Sequence, residues 1–300
     1  MTVDKPFSSG IEVRPTTPAD TAEICDLLED GFGIAADDWR PLCTTNWLPD
    51  NPRGIVLTDG GRIVGHVGTI YSQRDINGKT GIVCNFSGFY VAPAYRGRGL
   101  GAALVAAAVR DERITYTSLT PAAVTQRVNE AMGFAILERR VLLFPPGLHA
   151  KTLWQSRVDI DVNDRTVHAS LGQAERRIYD DHAPYDCLQM TARDAGGAAY
   201  LVVKRRLRPL NRLRRVARSD GLPISQILYC SAPEVLARNL ERIKLAIMWH
   251  QKTFGIAINE RLFPDAPRAI KEESIAQYRS PGFTPNELDE LYSEFVLLDI

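Results

Sequence analysis

Cys84 to Arg110 reads CNFSGFYVAPAYRGRGLGAALVAAAVR: an apolar, aromatic run of strand type, a turn at Pro93, a glycine-rich segment and an alanine-rich helix. Gly97, Gly99 and Gly101 alternate with Arg96, Arg98 and Leu100. Without β-carbons, such a loop can turn tightly and aim its backbone N–H groups at one point. The helix expected from about Leu100 to Arg110 brings its free N–H groups and the positive end of its dipole to the same point. Strand, glycine loop and helix together make an anion site, with Arg96 and Arg98 adding charge at its rim.

Two common phosphate loops do not fit. A P-loop ends in Gly-Lys-Ser/Thr, where this chain has Gly101-Ala102-Ala103, and the dinucleotide fingerprint needs an acidic residue about twenty positions on, after another strand. A plain connector has little use for three alternating glycines, which cost backbone entropy and pack poorly. The stretch resembles the acetyl-CoA signature of the GNAT N-acetyltransferases, Arg/Gln-x-x-Gly-x-Gly/Ala, and Arg96 to Gly101 fills every fixed position. The resemblance implies a mixed α/β fold of α+β type: a central, twisted, mostly antiparallel sheet flanked by helices. It also implies that the backbone N–H groups of Arg96, Gly97, Arg98, Gly99, Leu100, Gly101 and Ala102 hold the coenzyme A pyrophosphate. The preceding strand would splay from its neighbour, so that Phe89, Tyr90 and Val91 pair with the pantetheine arm and an N–H near Val91 holds the thioester carbonyl.

Composition fits a globular protein. At 300 residues and 45% hydrophobic, the chain is long enough for two ordinary cores. Its formal net charge of zero gives no global field for nucleic acid or an acidic membrane. Five scattered cysteines without a C-x-x-C pair favour free thiols in a reducing compartment over disulfides or a zinc site. With no signal-like apolar start and no run long enough to span a bilayer, a cytoplasmic protein is expected. No pattern bears on oligomeric state.

Ile11 to Pro15 alternates like a first strand, and Thr17-Pro18-Ala19-Asp20 opens a helix. Helical or irregular structure follows around Asp37 to Trp47. Gly54 to Thr58, the Asp59-Gly60-Gly61 turn and Arg62 to Tyr71 read as a hairpin, and Asn77-Gly78 turns into the strand quoted above. Ile114 to Leu119 reads as a fifth strand. A helix from Pro121 to Met132 is capped at Gly133-Phe134, and Ala135 to Phe144 returns as a last strand or pair.

The proton-transfer groups are less regular. GNAT chains commonly carry a tyrosine four residues before the Gly-Phe pair, placed to protonate the leaving thiolate; this chain has Asn129, which cannot supply that proton. Where some members have a glutamate on the fourth strand, this chain has Asn85, flanked by Phe86 and Ser87. Asn85 or Ser87 could hold a water that takes the proton. Tyr90, Tyr116, His66 and Cys84 are the nearby titratable groups, each with an ordinary reading as a half-buried or core residue. Catalytic candidates are thus Asn85, Tyr90, Tyr116 and Asn129. A thioester is already activated, so positioning the amine supplies much of the rate.

Pro145-Pro146-Gly147 breaks the pattern and divides a domain of residues 1–147 from one of 148–300, with His149 to Ser156 as linker or first strand. The second half echoes the first: a hairpin over Gln189 to Arg206, a strand over Ile224 to Cys230, Ser231-Ala232-Pro233-Glu234 where Val91-Ala92-Pro93-Ala94 stood, and a helix to about Lys252. Val235-Leu236-Ala237-Arg238-Asn239 replaces the glycine loop, which implies a degenerate GNAT-like domain with no coenzyme A cradle. The tail has a turn at Ser280-Pro281-Gly282, and Glu294 to Leu298 closes as a helix end or strand. The basic run Lys204 to Arg215 lacks interleaved aromatics, so a solvated hairpin face is preferred over a nucleic-acid or membrane footprint. A third reading has it face the cleft between the halves and attract an anionic acceptor or the coenzyme's ribose phosphate.

The family resemblance implies acetyl transfer from acetyl-CoA to a primary amine of a small molecule by direct attack, without metal. The rival is a non-catalytic coenzyme A-binding or regulatory module. A longer acyl donor also remains open.

Overall fold

The computed structural model of the chain describes residues 10–147, 156–208, 221–264, 266 and 269–298. They fall into two compact units. One holds the residues up to 137 with 275–287 and 292–298; the other holds 138–274 with 288–291. Both are mixed α+β structures built on mostly antiparallel strands flanked by helices.

In the first unit, β1 (Ile11–Pro15), β2 (Gly54–Asp59), β3 (Arg62–Ile76) and β4 (Lys79–Val91) pair antiparallel in sequence order. Both hairpins close through two residues of positive φ, Gly60-Gly61 at 57° and 90° and Asn77-Gly78 at 51° and 77°. Turns of that hand match strand twist, and glycine and asparagine tolerate the left-handed region. β4 pairs parallel with β5 (Thr115–Ser118), and residues 277–279 of β12 (Ile270–Arg279) pair antiparallel with β5.

Alternation along these strands divides the side chains between two faces. Ile55, Leu57, Cys84 and Phe86 join Leu100, Leu104 and Val105 of α3 (Leu100–Ala108) in one core. Opposite, α1 (Thr21–Phe32) and α2 (Ala36–Thr44) lie over the strand glycines: Leu42 of α2 covers Gly68 and Gly88, and Leu28 of α1 also reaches Gly88. α4 (Ala123–Ala131) follows β5 and buries Asn129.

The second unit has the same strand pattern. β7 (Asp159–Asp161), β8 (Cys187–Asp194), β9 (Gly197–Arg208) and β10 (Leu222–Cys230) are antiparallel neighbours; β10 pairs parallel with β11 (Ile256–Asn259), and β11 pairs antiparallel with β6 (Ala135–Phe144). Helices α5 (Asp164–Ser170) and α6 (Gln173–His182) precede β8, and α7 (Pro233–Arg238) and α8 (Leu240–Gln251) follow β10. Met190, Leu201, Ile227, Ile243, Ile247 and Ile256 fill the core. The sequence echo is thus a repeat of topology.

The units do not divide at Pro145-Pro146-Gly147. From Glu138 onward β6 is a strand of the second unit, and the first unit completes its sheet with β12, from near the end of the sequence. Each unit takes its sixth strand from the other half of the sequence. Most of the expected linker, 149–155, lies outside the described residues, as do 209–215 of the basic run; Lys204 to Arg208 end β9. Among the described residues no helix is long and apolar enough to cross a membrane.

Candidate active site

The site begins where two strands part. β4 and β5 pair only over Val83–Phe86 and Thr115–Ser118, yet β4 runs on to Val91, leaving Ser87 to Val91 without a β5 partner. On its other side β4 carries a bulge: His66 faces Tyr90 while Gly68 faces Ser87, so Val67 spans both Gly88 and Phe89. Gly88 sits at φ 55°. The extra residue increases local twist and re-aims the strand. His66 Nδ1 lies 3.0 Å from the Gly88 carbonyl. That oxygen only accepts, so Nδ1 carries the proton. Burial pushes His66 down to about 4, keeping the ring neutral at physiological pH.

Beyond Val91 the chain makes a short turn, Pro93 to Tyr95, and enters the glycine loop. Gly97 and Gly99 have φ of 74° and 77°, and a β-carbon on either would meet nothing within 4 Å. These two glycines are set by backbone conformation, and the space above them is open. Gly101 has a different reason: a β-carbon there would stand 3.1 Å from Phe89 Cζ, so this glycine lets α3 lie close on β4. Gly99 caps α3, and the Ala103 amide is bonded to the Gly99 carbonyl. The amides of Leu100, Gly101 and Ala102 precede the first helical bond and have no partner within the helix. Arg96 is held in place by its Nε, which donates to the Val91 carbonyl at 2.8 Å, while its guanidinium lies over the Tyr90 ring. Arg98 lies over Tyr95, whose hydroxyl donates to Asp59 Oδ2 at 2.8 Å. The loop residues Arg96 to Ala102 and the strand residues Phe89, Tyr90 and Val91 therefore meet at one end of the opening between β4 and β5.

The candidate proton-transfer residues are scattered by comparison. Tyr90 is half-buried in the notch left by Gly31 of α1, against Phe32. Tyr116 is buried beside Phe86; its hydroxyl donates to the Asp111 carbonyl at 3.1 Å, and burial pushes it up to about 12. Cys84 is fully buried and its thiol is raised for the same reason. Asn129 is fully buried and its amide donates to Gln277 Oε1 of β12 at 3.0 Å.

Asn85 lies at the last paired stretch before the strands part. Its Oδ1 accepts from Thr117 Oγ1 at 3.1 Å, and its Nδ2 donates to Glu294 Oε2 of α9 (Glu294–Leu297). The other carboxylate oxygen, Oε1, accepts from Thr120 Oγ1 at 3.0 Å. Sequence reasoning missed both Glu294 and Thr120. The available signal was Glu294 itself, a carboxylate directly before the apolar run Phe295-Val296-Leu297-Leu298, since a charge buried in such a run needs partners.

Among the described residues, the second unit has no such loop after β10. After β10, Ala232 leads into α7, whose first turn carries Glu234, and no glycine occurs between Ser231 and Asn239. A carboxylate there opposes the helix dipole's attraction for phosphate.

Residues 21–134 match the family model of the acetyltransferase (GNAT) family. No curated protein matches the chain. Among solved structures it is similar to a GCN5-related N-acetyltransferase from Kribbella flavida at 15% identity, over 90% of this chain and 71% of that one, with a TM-score of 0.56. A GCN5-related N-acetyltransferase from Sphaerobacter thermophilus matches at 12% identity over 93% and 98%, with a TM-score of 0.53. The N-myristoyltransferase of Saccharomyces cerevisiae, solved with bound myristoyl-CoA, matches at 10% identity over 99% and 91%, with a TM-score of 0.50. At such identities the likeness is one of fold.

Proposed function

Since residues 21–134 form a domain of the GNAT acetyltransferase family, whose members use acyl-CoA, we propose that this protein moves an acetyl group from acetyl-CoA to a primary amine of a small molecule by direct attack. The observation that carries the reading is the pair Gly97 and Gly99, both at positive φ with open space above them, ahead of the free amides of α3. Anions are stabilised at such a point by N–H donors and by the helix dipole. In this reading the amides from Arg96 to Ala102 hold the pyrophosphate. The backbone of Phe89, Tyr90 and Val91 pairs with the pantetheine arm. An N–H near Val91 polarises the thioester carbonyl as charge develops on its oxygen. The amine nitrogen attacks the carbonyl carbon, the carbon–sulfur bond breaks, and coenzyme A leaves as a thiol.

Calorimetry with acetyl-CoA, followed by free-thiol release with a panel of amino sugars, amino acids and peptide N-termini, tests the proposal. Binding with amine-dependent thiol release is expected; no binding would sink it. A second reading, a coenzyme A-binding module without turnover, draws on Asn129, which stands where a thiolate-protonating tyrosine is expected and is spent on Gln277. Binding without thiol release on any amine would favour it. Running the panel with longer acyl-CoA donors reads the acyl length.

A further inference from the structure

We infer that Glu294 is the proton acceptor of the transfer reaction and that the Thr120 hydroxyl carries the proton to it. This rests on the acetyltransferase reading above. The placement is specific: one carboxylate oxygen is bonded to Asn85 on β4, the other to Thr120, two residues beyond the end of β5. Glu294 therefore bridges the two strands where they part. A C-terminal segment brings a carboxylate to the strand position where the chain itself has asparagine.

The bridging carboxylate is buried with its amide partner. Glu294 is 4% exposed and Asn85 is 2% exposed. Burying a carboxylate costs several kcal/mol unless it is well partnered.

Thr120 supplies the route outward. It is exposed, and its single hydroxyl proton points to Glu294 Oε1, which leaves the oxygen's lone pairs to accept from a water or an ammonium. The other titratable groups are poorly suited. Tyr116, Tyr71 and Cys84 are buried and raised, and His66 uses its one proton on Gly88. On the elements packed against α9, β4 offers Lys79, Cys84 and Tyr90, and α2 offers Asp37, Asp38, Arg40 and Cys43. Lys79 is paired with Glu287 and Arg40 with Asp37. Arg74 lies over the ring of Tyr292, two residues before Glu294.

The protons balance. An incoming ammonium gives one proton to Thr120 Oγ1 as the Thr120 proton passes to Glu294 Oε1, and the freed lone pair attacks the thioester carbon. The carbon–sulfur bond breaks with its electrons on sulfur, and the second nitrogen proton goes to the thiolate. Products are the amide, coenzyme A as a thiol and a protonated Glu294, which returns its proton to solvent through Thr120.

The test is Glu294→Gln with the best amine of the panel, measured across pH, beside acetyl-CoA calorimetry and a melting curve. The expected result is a fall in kcat of about a hundredfold or more, loss of the acid limb of kcat/KM, and acetyl-CoA affinity held within about threefold. Thr120→Val, at an exposed position, should lose about tenfold or more in kcat, and Thr120→Ser should restore most of it. Glu294→Gln within about threefold of wild type with its acid limb intact overturns the proton route alone. Thr120→Val at wild-type kcat does the same, even if Glu294→Gln fails to fold. A wild-type protein that binds coenzyme A but turns over no amine overturns the transfer reading and the proton route with it.

Discussion

The two units share a strand order and a register fault, yet among the described residues only the first enters its helix through a loop of left-handed glycines. In the first unit the β3–β4 ladder shifts at His66 to Gly68; in the second the β9–β10 ladder shifts at Ile227 to Tyr229. Each then enters a helix through an Ala-Pro step, Ala92-Pro93 or Ala232-Pro233. The difference lies in the residues that follow. Arg96-Gly97-Arg98-Gly99 gives four residues of loop with two left-handed glycines ahead of α3, whereas Pro233 begins α7 at once and places Glu234 in its first turn. A fold can be repeated without this loop, because the loop depends on a few backbone angles that the sheet does not require.

Both units also bury a carboxylate beside the strand before the helix, and here the comparison is sharper. Glu294 meets Asn85 of β4; Glu290 accepts from Gln226 Nε2 of β10 at 2.5 Å, and Arg206 donates to the same Gln226 at 2.9 Å. Glu290 is surrounded by amides with Arg206 and Arg261 nearby, and burial still raises its carboxyl above the usual range.

Replacing both left-handed glycines gives the largest effect outside the proton route. In Gly97→Ala/Gly99→Ala each alanine costs about 1–2 kcal/mol at positive φ. Acetyl-CoA affinity should fall by about thirtyfold or more if the bound loop keeps these angles. Glu234→Ala, its counterpart in the second unit, should leave the affinity unchanged. Calorimetry that found the reverse would move the nucleotide to the other unit.

Glu290→Gln comes next, since it separates the two carboxylates. Turnover should stay within about twofold of wild type, as no step reaches Glu290. A native carboxyl raised above its unfolded value contributes stability that is present at low pH and lost as pH rises through the native value. The melting temperature of Glu290→Gln should therefore gain on wild type as pH rises above the ordinary carboxyl range. A loss of turnover equal to that of Glu294→Gln would make both carboxylates structural.

The entry to each unit's first helix also differs, with a smaller consequence. Asp20 takes two 2.8 Å bonds from Arg14 and one of 2.7 Å from the Thr17 amide, and the Arg14 guanidinium holds its carboxyl well below the usual range. Asn163 caps α5 through the Arg165 and Thr166 amides without charge. Asp20→Asn should cost about 1–3 kcal/mol at neutral pH. Because the native value is depressed, that stability is present above the unfolded value of 3.8 and lost as pH falls through the native one. The gap between the melting curves of wild type and Asp20→Asn should close in acid, whereas Asn163→Ala should show a gap that acid does not change.

How much of this was legible from sequence follows from range. The glycine loop, both positive-φ hairpin turns and α3 depend on neighbours within a few residues, so spacing alone located them. β3 runs past Tyr71 to Ile76 because Arg74, polar in the pattern, is buried over the Tyr292 ring. β12 was not foreseen: its first half is Ile-Lys-Glu-Glu, exposed, and only Ala276 and Gln277 are buried in the strand. The sixth-strand exchange has no local signature, since β6 would satisfy either sheet. Asn85 and Glu294 stand 209 residues apart, so no spacing rule could join them.

Gly101→Ala sets two effects of similar size against each other. In a helix alanine is favoured over glycine by about 0.5–1 kcal/mol. Its β-carbon would stand 3.1 Å from Phe89 Cζ and 3.9 Å from Val91 Cγ2, so the aromatic tip has to give way, at roughly 1 kcal/mol or more. Global stability should then move little, with a melting temperature within about 4 °C of wild type. Phe89, however, lies on the stretch of β4 that has no β5 partner, so its displacement should appear in acetyl-CoA affinity as a fewfold loss. A large drop in melting temperature with unchanged affinity would make the Gly101–Phe89 contact a joint of the core. In the second unit α7 meets the strands through Val235 and Leu236, both buried, and the close glycine there is in the β8–β9 turn, where a β-carbon on Gly196 would stand 2.7 Å from the far end of Arg238.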